Sequence, residues 1–217
     1  VGYRLDLGEL EHADANAAEA MAILSEHFAP GSLNHAMLEH TRAATRLALR
    51  DNATALTLAM RAVETFDKLI GAKHEVAIGA RTTVAMALMH EGRLDASARE
   101  IDSVVPHLAA LAPTNALLAR VALARGTIAR LQGDHAAAMQ HLRGLVQSAE
   151  AAPKWQRERM RAWAQIGFVQ LDQGAPSEAI ASFERALKEF ERLESQVTPA
   201  RADALAGLGR AHAALRG

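Results

Sequence analysis

Five positions recur along this chain at a spacing of 41–42 residues, and few architectures accommodate such a period. Gly167, Gly174, Ala179, Phe183 and Ala186 stand at offsets 0, 7, 12, 16 and 19 from the first of them. Gly126, Gly133, Ala138, Leu142 and Leu145 repeat those offsets one unit earlier. Ala85, Gly92, Ser97, Ile101 and Val104 do so again, as do Ala43, Arg50, Ala55, Ala59 and Ala62. Gly209 extends the series by 42 residues, and Gly2 precedes Ala43 by 41. Self-similarity on this scale means that one supersecondary unit is repeated and stacked.

The offsets have the logic of a helical hairpin. The first position is small because two helices cross there. The second lies in the turn between them, where glycine adopts a positive φ at little cost. The third is small again where the returning helix packs. The fourth and fifth follow it at i+4 and i+7, one stripe of a helix. Alanine, the best helix former, occurs 49 times, and aromatic residues make up only 4% of the chain. The expected fold is therefore all-α, a superhelix of antiparallel hairpins with no sheet.

Helices are expected at about 9–27, 32–49, 52–70, 74–90, 94–111, 114–131, 135–150, 154–172, 176–194 and 200–215. Pro30, Pro113, Pro153 and Pro199 fall between them, and Pro176 sits in a first turn, where proline is tolerated. Pro106 should kink its helix or end it about a turn early. The whole chain reads as one repeat array: a partial unit at about 1–28, units at 32–70, 74–111, 114–150 and 154–194, and an unpaired last helix at 200–217. Val1–Leu7 reads as the end of a helix begun earlier, so the expectation is a piece of a larger protein.

At these residues the chain resembles the tetratricopeptide repeat (TPR) family. Trp163, Ile166, Gly167, Gly174, Ala179, Phe183 and Ala186 match the family's signature, whereas the unit at Ala43 is degenerate, with Arg50 at the turn. The family's usual period is about 34 residues. The longer period here, and the linker Leu69–Ala77, resemble the kinesin-light-chain variety. Extended Ala- and Arg-rich arrays of this kind resemble regions appended to bacterial transcriptional regulators and Ser/Thr kinases, as does the segment Thr198–Arg210. The resemblance implies a protein- or peptide-binding scaffold and no enzymatic activity.

The chemical signals point the same way. Cysteine is absent, which excludes disulfides, thiolate metal sites and thiol nucleophiles. Of the ten histidines, His35/His40 and His135/His141 are spaced by five and six, which splays them around a helix, so no metal site is expected. No phosphate-binding glycine loop or nucleophile elbow occurs, and no cofactor is expected; Gly207–Gly209 lacks the preceding strand and third glycine of a dinucleotide site. A net charge of -1 argues against direct nucleic-acid or membrane binding. No apolar run reaches the roughly 20 residues of a membrane helix, and a cytoplasmic setting is the expectation.

In the TPR family the first helix of each hairpin lines a concave groove. Counting from each anchor, positions -6, -3, +1, +4 and +5 should face it. That rule selects Met86 and Met89 in one unit, Arg120, Leu123, Thr127 and Arg130 in the next, and Arg161, Phe168 and Leu171 in the fourth. Methionine surfaces adapt to varied partners, and arginine forks favour carboxylates and phosphates. The expected partner is a protein or peptide with an acidic segment. The family's chaperone-type carboxylate clamp is missing, since its positions hold Ala44, Met86, Thr127 and Phe168. Alternative roles are homodimerisation through the last helix, and sensing of a small ligand or signal peptide.

Overall fold

The computed structural model describes residues 12, 14–20, 22–23, 31–193 and 198–216. Among them every regular element is a helix. A helical stretch at 14–20 precedes α1 (Leu33–Ala48), α2 (Asn52–Leu69), α3 (Glu75–His90) and α4 (Leu94–Val104). After these come α5 (Ala116–Leu131), α6 (His135–Glu150), α7 (Gln156–Asp172), α8 (Pro176–Leu193) and α9 (Pro199–Ala214). Consecutive helices pack as hairpins, α1 on α2, α3 on α4, α5 on α6 and α7 on α8. The position expected at Gly2 lies outside the described residues.

The four turns within hairpins share one geometry. Arg50, Gly92, Gly133 and Gly174 all have positive φ, at 64°, 75°, 83° and 72°. Each donates its N–H to the carbonyl three residues back, and the next residue donates five back, as Asp134 does to Ala129 at 2.9 Å. These paired bonds satisfy carbonyls that a helix end leaves open. Arg50 is the one non-glycine with positive φ among the described residues. Asp51 and Asp134 then cap the returning helices, their side chains accepting from Thr54 and Ala137 at 3.2 and 2.9 Å.

Pro106 acts as its chemistry requires. Proline brings no N–H to an α-helical bond and crowds the carbonyl a turn back, so α4 stops at Val104. The chain continues as a 3₁₀ stretch over Val105–Ala110, with proline in its first turn.

The crossings are built from small residues. A Cβ on Gly126 would stand 2.6 Å from Leu142 Cγ, and one on Gly167 would stand 2.9 Å from the Phe183 ring. In the hairpin anchored at Ala85, the Ser97 hydroxyl donates to the Ala85 carbonyl at 2.6 Å, with both residues buried.

Two compact units cluster along the chain, residues 1–112 and 113–217. In the first, Ala43, Ala55, Ala59, Val84 and Leu88 form one apolar cluster, and Phe66 with Ala36, Ala62 and Ala77 another. Asp14 is buried beside Arg42 and Arg46, at 3.2 and 2.6 Å, tying the early helical stretch to α1. Burial pushes the Asp14 carboxyl up, but the hydrogen bonds and charges of Arg46 and Arg42 outweigh it and hold it below the ordinary range. In the second unit, Leu142, Leu145, Trp155, Ile166 and Val169 make one cluster, and Met160, Phe183, Phe190, Ala204 and Ala211 the other.

Candidate functional site

In the second unit the first helices lie side by side, α5 against α7 and α7 against α9. Residues that project from them share a face, as the period of 41–42 demands. Arg130 of α5 reaches α7, donating to Asp172 at 3.0 Å and to Gln165 at 3.1 Å. Its guanidinium also lies 5.3 Å above the Phe168 ring, which meets Phe183 edge-on at 5.0 Å. Arg130 and Phe168 are thus brought together, and their interactions are made within the protein.

The other end of the face differs. Arg120 is partly buried and Arg161, one period on, is exposed. Burial lowers the pKa of Arg120 most strongly; the Glu158 carboxylate raises it, and the nearby charge of Arg161 lowers it further. Among the described residues no carboxylate lies within ion-pair distance of either guanidinium. This leaves two neighbouring cations, with Glu158 as a partial counter-charge, where a bound anion would gain from both.

The apolar positions pack more deeply than a groove lining would. Leu123 is half-buried against the cluster around Leu142, and Phe168 and Leu171 are half-buried against the one around Phe183. Thr127 is buried and donates its hydroxyl to the Leu123 carbonyl at 2.8 Å. In the first unit Met89 is buried, and Met86 is half-buried beside Val84 and Leu88.

A furrow that the sequence did not disclose runs between the second helices α6 and α8. These two make little direct contact, so α7 floors the gap. The cleft holds about 520 Å³ and is lined by Arg143, Val146, Glu150, Trp163, Glu178 and Arg185, among others. The Arg185 guanidinium covers the Trp163 ring at 4.8 Å. Spacing alone could not have found it, because it depends on how far α6 and α8 diverge.

Among the described residues no three His, Asp or Glu side chains gather as a metal site would require, and no helix is long and apolar enough to cross a membrane.

No family model matches this sequence, and no curated protein does. Solved structures match it by shape. BtubC (BKLC) from P. vanneervenii superposes with a TM-score of 0.64 at 18% identity, covering 95% of this chain and 84% of its own. A candidate kinesin light chain of Podosopora anserina, with nearly identical TPR-like repeats, gives 0.60 at 16% identity, covering 87% of this chain and 90% of its own. A point variant of that protein gives 0.59 at 17% identity, covering 85% of this chain and 88% of its own. At these identities the likeness is one of fold: the chain is all-α and TPR-like.

Proposed function

We propose that this chain is a protein-binding scaffold that takes an acidic peptide segment on the first-helix face of its second unit. The observation that carries the reading is the pair Arg120 and Arg161, adjacent in charge and without a carboxylate at ion-pair distance among the described residues. Guanidinium groups make forked hydrogen bonds to carboxylates and hold their charge across physiological pH, so they bind anions well and transfer protons poorly. Binding, not catalysis, is the role that suits them. The TPR-like fold supports it, since stacked hairpins place equivalent side chains of successive repeats side by side. We place the chain as the docking or sensor region of a larger bacterial signalling or regulatory protein, on the Ala- and Arg-rich character of its repeats.

The test is a panel of labelled peptides ending in two or three acidic residues, each with a Gln-substituted twin, titrated against the 217-residue chain. Acidic peptides should bind more tightly than their twins, and raised salt should weaken them. Charge reversal of both arginines, Arg120→Glu with Arg161→Glu, should remove that preference while helicity and melting temperature are kept. Equal binding of acidic and Gln peptides, or an unchanged preference in the double variant, would refute the reading.

A further inference from the structure

Helix α9 carries the docking features of a first helix, yet among the described residues no second helix answers them. Along α7, three positions at i, i+4 and i+7 form one stripe, and each meets α8. Trp163 lies under the Arg185 guanidinium, a Cβ on Gly167 would press on Phe183, and the Gln170 amide oxygen accepts from Ser182 at 2.7 Å. A fourth residue, Arg159, donates its Nε–H to Glu189 of the same helix at 3.0 Å.

Forty-two residues on, the same four offsets are Arg201, Leu205, Gly209 and His212. Leu205 is 46% exposed, and His212 is exposed. A Cβ on Gly209 would meet nothing within 4 Å. The Arg201 Nε–H is buried without an acceptor, and the rest of its guanidinium reaches only an exposed Glu191 at 3.8 Å. Glycine weakens a helix interior, a cost that the close approach of the returning helix offsets at Gly126 and Gly167. At Gly209 nothing offsets it.

The stripe is firmly presented. On the adjoining face Ala204, Gly207 and Ala211 are buried, and Gly207 lies so close to the Phe183 ring that a Cβ there would collide with it. The row of crossings packed at Gly126 and Gly167 therefore continues onto α9 and stands open there.

We propose that α9 is a seat for an amphipathic helix of a partner protein, docked antiparallel in the register of α8. That helix presents a small residue, a bulky apolar residue four positions later against Gly209, and a carboxylate six beyond that to reach Arg201, as Ala179, Phe183 and Glu189 do in α8. Exposed Arg210 and Arg216, against a single Asp203, make the surroundings cationic and favour an acidic helix. This surface stands apart from the Arg120–Arg161 pair, and the two proposals fail independently.

The probe is a labelled, end-blocked peptide with the sequence of residues 176–193, titrated against the 217-residue chain by anisotropy. Saturable binding is expected, and Gly209→Leu should weaken it by about tenfold or more, because the side chain fills the seat. The same substitution points into open space, so the melting temperature should not fall. A peptide carrying Glu189→Gln should bind the parent several-fold less tightly but lose nothing further against Arg201→Gln, the sign of a direct pair. Absence of binding, or binding that Gly209→Leu leaves unchanged, would overturn the proposal. So would sedimentation showing that the parent self-associates and the Gly209→Leu variant does not, since a second copy would then own the seat.

Discussion

Arg50 shows how much one residue can reveal before a fold is known. Its place in the repeat demanded the backbone of a turn glycine, and the chain there does hold φ at 64°. A left-handed conformation costs a side-chain-bearing residue roughly 1–2 kcal/mol, partly returned by the smaller entropy loss relative to glycine. Arg50→Gly should therefore raise stability by about 0.5 kcal/mol, read as a higher denaturation midpoint. Gly133→Ala, at φ 83°, should cost about 1 kcal/mol in the same assay. Asp14 offers a test by pH. Its carboxyl sits below 3.8 when folded, so the ion pairs stabilise fully above the unfolded value and fade as pH falls through the folded one. Asp14→Asn should cost about 1–3 kcal/mol at neutral pH, because two guanidinium groups lose their partner. The difference between parent and variant should stay flat above about pH 5 and shrink below 3.8.

At the scale of single elements, much was legible because helix ends announce themselves chemically. Asp51 and Asp134 cap, Pro106 ends α4 at Val104, and α6 spans 135–150 as its pattern requires. Where the starts shifted, the reason is local: α5 opens at Ala116 because Asn115 accepts from the Leu117 N–H at 2.9 Å, and a 3₁₀ turn at Pro153–Trp155 delays α7 to Gln156. The depth of side chains was less legible. The offset rule finds the correct face of a helix, but Thr127 and Met89 are drawn under their neighbours, and a one-dimensional pattern carries no measure of interhelical distance. The crossings themselves can be tested. Phe183 is fully buried between α7, α8 and α9, so Phe183→Ala should cost about 3–5 kcal/mol. Ala179, also fully buried, has no room to grow, and Ala179→Leu should cost about 1–3 kcal/mol by thermal melting.

At the scale of the molecule, stacked repeats distribute stability among nearest neighbours. The two compact units each hold their own apolar clusters. Damage to one should therefore stay there: in Phe183→Ala, amide hydrogen exchange should quicken over 113–217 and keep its parental rate around Phe66. A further consequence is optical. Both tryptophans, Trp155 and Trp163, belong to the second unit. Trp155 is buried with its indole N–H bonded to the Thr114 carbonyl at 3.2 Å, and Trp163 is half-covered by a guanidinium. Fluorescence emission is thus a built-in reporter of one half of the chain, while circular dichroism sums over all of it. Denaturation followed by both signals on one sample needs no label, and the gap between the two midpoints would measure directly how far the halves melt together.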